Sequence, residues 1–140
     1  GTILKASSFR GPARSAHSFV ISGDTAEQSI HPIGIPTVLV HEATFVEEAH
    51  SKAEEHLHST AMGAARTAKA CGAEHLVLTH FSARIRDATE SLNEAMEEYG
   101  DVGGITYAND GDRLQIDIDG NVAFYRRNEQ GWKQHNISHH

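Results

Sequence analysis

The sequence predicts an α/β domain in which a mixed sheet carries helices on one face. Three observations support this. Short apolar runs, SFVIS (Ser18–Ser22), TVLV (Thr37–Val40) and LVLT (Leu76–Thr79), have the length and β-branched content of buried strands. Helix-patterned segments separate the second run from the third and follow the third, the alternation that builds a sheet covered by helices. Three more strand-like segments then follow, the last two joined at Asp119-Gly120, a two-residue hairpin signal. A chain of 140 residues suits one domain with one core.

Each element has a local reason. Thr2–Ala6 reads as a short strand and the polar stretch Ser7–Ser15, with Gly11-Pro12, as a loop. Ser18–Ser22 is ended by Gly23-Asp24-Thr25. Pro32, Gly34 and Pro36 punctuate the approach to Thr37–Val40, which runs into His41-Glu42-Ala43-Thr44-Phe45. Val46–Leu57 is charged and compatible with a helix. Ser59 or Thr60 can cap the next helix, Ala61–Cys71, whose alanines permit close approach to a sheet and which Gly72 ends. Leu76–Thr79 ends at His80. Asp87-x-x-Glu90 resembles a capping box for a helix with Leu92, Ala95, Met96 and Tyr99 on its inner face and Gly100 at its end. Ile105–Ala108, Arg113–Asp117 and Val122–Arg126 complete a β-β-α-α-β-α-β-β-β order. Residues 1–127 are expected to form the domain, with 128–140 a flexible polar tail.

Composition narrows the function classes. The net charge of −7 argues against nucleic-acid binding by bulk electrostatics. Lys5, Arg10 and Arg14 precede the first acid, Asp24, and form either a local basic surface or a solvated loop. No apolar run reaches membrane-spanning length. The start lacks a signal-peptide core, and the single cysteine, Cys71, cannot form an internal disulfide; a cytoplasmic protein is expected. His139 and His140 read as a tag remnant.

The chemistry gathers at strand ends. If the three apolar strands are neighbours, Asp24, Glu42 and His80 converge at one sheet edge, where α/β proteins place their sites. His58, at the start of a helix, can face the same edge. Aspartate and histidine are ordinary zinc ligands, and a carboxylate can bridge two metals. Each residue also has a plainer reading. Asp24 fits a turn residue bonded to its own backbone, Glu42 a helix cap, His58-Ser59-Thr60 an N-cap segment and His80 a core histidine. His56 and His58 form a rival His-x-His pair.

Taken in order, Ser22-Gly23-Asp24-Thr25, His41-Glu42-Ala43-Thr44-Phe45, His58-Ser59-Thr60-Ala61 and Leu78-Thr79-His80-Phe81-Ser82-Ala83-Arg84 resemble four motifs of ribonuclease Z, the tRNA 3′-processing endonuclease. The resemblance runs from about Val20 to Arg84, and Tyr107–Ile118 resembles the family's closing segment. It implies the C-terminal half of a metallo-β-lactamase αββα sandwich and a two-zinc site. By the same resemblance Asp24 would bridge both ions and His80 would bind one. His58 would donate a proton to the leaving group, oriented by Glu42, and Arg84 would sit near the phosphate. Two zinc ions can activate a water and neutralise charge at phosphorus, and histidine suits proton donation near neutral pH.

Departures from the pattern bear on activity. The family's His-x-His-x-Asp-His run is absent from these 140 residues, and His17 does not replace it. Its tRNA-gripping arm would also precede this chain. Ile85 stands where an aromatic often follows the arginine, and Leu57 where the family has glycine. Two protein ligands fall short of the three or four that zinc takes. The expectation is an endoribonuclease half, inactive alone, with precursor tRNA as the substrate of the complete enzyme. The alternatives are a binding or structural module that has lost catalysis and a related phosphodiesterase. An apolar layer including Val20, Val38, Val40, Leu76 and Leu78 is expected to need covering. A missing N-terminal half, self-association, or the chain's own strands after Ile105 could supply the cover.

Overall fold

The computed structural model describes residues 3, 5–11 and 15–137. The strand expected over Thr2–Ala6 lies partly outside them, and Ala6 instead opens a 3-10 turn to Phe9. Arg14, His139 and His140 also lie outside the described residues. A four-stranded parallel sheet has the order β1 (Phe19–Ile21), β2 (Val38–Glu42), β3 (His75–Thr79), β4 (Gly104–Tyr107). A separate antiparallel sheet comprises β5 (Arg113–Ile116), β6 (Val122–Asn128) and β7 (Gly131–His135). The expected mixture of parallel and antiparallel strands is thus divided between two sheets.

Between β2 and β3 lie a 3-10 turn, Glu47–Ala49, and the helices α1 (His50–His56) and α2 (Ala61–Cys71); α3 (Ala88–Tyr99) precedes β4. Thr60, rather than Ser59, caps α2 by accepting from Gly63 N–H at 2.9 Å. Gly72 ends α2 at a φ of +70°, a left-handed conformation that glycine adopts without strain. Asp87 caps α3 through Thr89 N–H at 2.9 Å.

Register decides which face each apolar residue serves. Leu39 pairs with Leu76, and Leu76 with Ile105. These side chains and Leu78 pack with Ala61, Ala64, Ala65 and Ala68 of α2 and with Ala95 and Tyr99 of α3. Val38 and Val40 alternate to the opposite face, so the five residues expected to form one layer belong to two. Val38 and Val77 are nevertheless buried within the chain itself. The second sheet lies near this face: Gly120 abuts the His17 ring, and Val122 and Phe124 line a cavity with His75. Phe19 and Ile21, at the β1 edge, stay exposed.

Two expectations near the end of the sequence need correction. The β5–β6 connection is a three-residue loop between Asp117 and Asn121, closed by Asp117 N–H to the Asn121 carbonyl at 3.0 Å, with Gly120 at a φ of +90°. The Asp117 carboxylate accepts from Asp119 and Asn121 N–H and holds the loop open by one residue. The segment expected to be a flexible tail from Asn128 instead turns back and pairs as β7, from Asn128↔Gly131 to Phe124↔His135. No helix among the described residues is long and apolar enough to cross a membrane.

Candidate active site

The C-terminal ends of β1, β2 and β3 lie side by side, so the loops after them meet. Backbone bonds tie those loops together: Ala43 N–H to Thr79 O at 2.8 Å, Ser82 N–H to Thr44 O at 3.1 Å and Phe45 N–H to Ser59 O at 3.2 Å. Three turns in the left-handed region aim the side chains. Gly23 has a φ of +61° just before Asp24, Leu57 of +57° just before His58, and His80 itself of +55°. Such a conformation is uncommon for non-glycine residues and persists only where surrounding contacts hold it.

Asp24, Glu42, His58 and His80 lie together. Ligand atoms of Asp24, His58 and His80 all fall within 4.8 Å of one another. His80 Nδ1 is 3.4 Å from Asp24 Oδ1, and the His58 and His80 rings stack with centroids 5.6 Å apart. Glu42 is buried beneath them, with 1% of its side chain exposed, against 51% for His80 and 65% for Asp24. Its Oε1 accepts from Thr25 N–H at 3.1 Å and lies 2.8 Å from His58 Nδ1. Its Oε2 accepts from Thr44 N–H at 3.0 Å and Thr44 O–H at 2.7 Å. Burial alone would raise the Glu42 pKa. The Thr44, Thr25 and His58 donors outweigh it and hold the carboxyl below the usual range.

These contacts set proton positions. A carboxylate only accepts, so His58 Nδ1 must carry the hydrogen facing Glu42, which leaves Nε2 free. The Thr44 hydroxyl donates to Glu42, its shortest contact, so its oxygen can accept from His80 Nδ1 at 3.0 Å. That leaves His80 Nε2 with a free lone pair. Thr44 is therefore the hub joining Glu42, His58 and His80. The sequence placed it in a motif without a role.

Other candidates lie elsewhere. His56 is exposed on α1 and outside the ligand group, and His17 packs against Gly120. His41 points to the helix face and is fully buried, its Nδ1 2.8 Å from the Glu42 carbonyl. Arg84 is exposed and lines a cavity of about 350 Å³ with Thr44, Phe45, Lys52, Ile85 and Arg86. Thr44 is the residue of the centre that shares this cavity with it. A second cavity, about 420 Å³, runs from His58 to Arg66. There Arg66 grips Glu27 in two bonds, 2.7 and 2.9 Å, and reaches Glu47 at 3.2 Å. The separation of 39 positions from Glu27 to Arg66 hid this pairing from the sequence.

As metal ligands, the residues fit one incomplete centre. Asp24, His58 and His80 each bring one ligand atom within 4.8 Å of the others, but three groups cannot furnish a two-ion site. No protein-family model matches the chain. The chain is 37% identical over 121 residues to ribonuclease Z of Myxococcus xanthus, covering 84% of this chain and 39% of that protein. It is 38% identical over 96 residues to ribonuclease Z of Halalkalibacterium halodurans, covering 67% of this chain and 31% of the relative. Among solved structures, the metallo-β-lactamase fold protein YhfI of Bacillus subtilis superposes with a TM-score of 0.56 at 20% identity, over 76% of this chain and 39% of that one. The chain is thus a relative of the ribonuclease Z proteins, built on the metallo-β-lactamase fold and spanning between 31% and 39% of the length of these two.

Proposed function

We propose that the chain is the C-terminal part of a zinc-dependent endoribonuclease of the tRNA 3′-end processing type and is inactive by itself. The observation that carries this is the convergence of Asp24, His58 and His80 within 4.8 Å, over a buried Glu42 bonded to His58. Asp24 and His80 would hold metal, and a bound zinc would supply an activated water and neutralise charge at phosphorus. Thr44 orients His80 by accepting from Nδ1, as outer-shell groups do for ligating histidines. His58, its Nδ1–H held by Glu42, would enter the step as the imidazolium, give its Nε2 proton to the departing 3′ oxygen and return to the neutral Nδ1–H form. Arg84 approaches the substrate phosphate from the neighbouring cavity. The remaining ligands would come from a segment bearing His-x-His-x-Asp-His, which these 140 residues do not contain.

A non-catalytic binding module on the same fold is the second reading, and the departures at Leu57 and Ile85 within the matching motifs favour it. A chimera separates the two. This chain would replace the matching segment of the Myxococcus xanthus protein, and the product would be offered precursor tRNA with a 3′ trailer. Chelator-sensitive cleavage that His58→Ala abolishes supports the endonuclease reading. A folded, zinc-loaded chimera that leaves the trailer intact supports the binding module. Turnover by the 140-residue chain alone would contradict both.

A further inference from the structure

We infer that the outer face of the antiparallel sheet binds single-stranded nucleic acid, independently of the catalytic reading. Register separates the two faces of this sheet. Arg113 pairs with Tyr125, Tyr125 with Gln134, and Arg127 with Trp132. With Gln115, these six residues share one face, because alternate residues of a strand point the same way. The opposite face turns inward. Phe124 is buried there, and the Arg126 guanidinium lies 3.9 Å from the Tyr107 ring centroid and 2.7 Å from Asp112.

The outer face is organised around one aromatic ring. Trp132 Nε1–H donates to the Gly111 carbonyl at 2.9 Å, which fixes the indole against the turn before β5. Arg113 Cζ lies 3.9 Å from the indole centroid and Arg127 Cζ 4.7 Å. Trp132 is still 45% exposed, and both arginines are exposed. Neither arginine has a carboxylate partner among the described residues, whereas Arg66 and Arg126 are both ion-paired. No acid occupies a strand position on this face.

The surface therefore joins planar stacking groups, unpaired cations and amides that can both donate and accept, on a chain whose net charge is −7. Stacking on aromatic rings and guanidinium planes, with cations for the backbone, is how sheets hold unpaired bases. A duplex hides its base faces and offers this surface only phosphates. An acidic peptide could pair with the arginines but its carboxylates would bring no planar ring to stack beside Trp132 and Tyr125.

Trp132 is the only tryptophan, so its fluorescence reports on the face directly. The 140-residue chain is titrated with a short fluorescein-labelled oligoadenylate in chelator, which keeps catalysis out of the readout. Saturable quenching of Trp132 is expected, with duplex RNA and polyphosphate competing much more weakly. By anisotropy, Trp132→Ala should lower affinity at least about fivefold, and Trp132→Phe, which keeps a ring but loses the bond to Gly111, should retain most of it. Arg113→Gln with Arg127→Gln should weaken binding and flatten its salt dependence by about 0.7 for each phosphate no longer neutralised. The inference is overturned if Trp132 is not quenched or if the arginine pair changes nothing. Equal competition by polyphosphate, or equal loss in the Phe and Ala variants, would overturn it as well.

Discussion

Glu42→Gln probes the buried heart of the site while keeping its shape. Four donors converge on the carboxylate, two on each oxygen. A glutamine amide presents one oxygen and one NH2, so in either orientation the NH2 faces two donors. If it faces the Thr44 side, both the N–H and the hydroxyl lose their acceptor. If it faces the other side, His58 can move its proton to Nε2 and accept at Nδ1, but Thr25 N–H is left unsatisfied. A hydrogen bond to a charged group nets about 1.5–3 kcal/mol. With one or two such bonds lost in a site 1% exposed, the variant should lose about 2–4 kcal/mol of stability. Urea denaturation measures this as a lowered midpoint at unchanged slope. The exposed Glu48→Gln should stay within about 0.5 kcal/mol of the parent. The Glu42 carboxyl is held below its ordinary pKa. Its contribution is therefore complete above about 4.3, the ordinary glutamate value, and the gap to the variant should narrow as pH falls below that. A Glu42→Gln protein as stable as the parent at neutral pH would mean that the four donors do not depend on this carboxylate.

Other expectations test local geometry. Leu57 is 71% exposed and sits at a φ of +57°, so Leu57→Gly should relieve about 1–2 kcal/mol of backbone strain, less about 0.5–1 kcal/mol of added chain entropy. A small gain in urea midpoint is predicted, and a clear loss would contradict it. A Cβ on Gly103 would fall 2.0 Å from the Glu74 carbonyl oxygen, where β3 and β4 begin, so Gly103→Ala should cost about 1–3 kcal/mol; an unchanged midpoint would show that the strands can part freely. His41 is fully buried, and burial holds its pKa below the ordinary value despite the bond to the Glu42 carbonyl. The unfolded chain then binds the extra proton first, so stability should fall as pH drops below about 6.5. His41→Leu should remove that part of the pH profile, and an identical profile would argue against it.

Much of the site was legible because apolar strands announce themselves. SFVIS, TVLV and LVLT are each followed by a polar cluster, and parallel pairing brings those clusters together. What escaped the sequence was set by register and by distant contacts. Val38 and Leu39 look alike in an apolar run, and only the pairing of Leu39 with Leu76 decides which of them meets the helices. β7 reads Gly-Trp-Lys-Gln-His, an edge strand with exposed side chains and no alternation to mark it. Thr44 has a common side chain, and its importance comes from Glu42, His58 and His80 arriving around it. Leu57 stood out as a departure from glycine, and its left-handed backbone shows what the departure costs.

The functional reading stands or falls on whether Asp24 and His80 present a shared metal-binding edge with His58 beside it. Cobalt(II) titration of the 140-residue chain, followed by paramagnetic broadening of the histidine ring signals, decides this. At most one weakly held ion is expected, with His80 and His58 broadened first and His56 and His17 spared. Asp24→Ala or His80→Ala should abolish the effect. Broadening that begins at His56 or His17, or that survives both substitutions, would show that the metal-binding edge lies elsewhere.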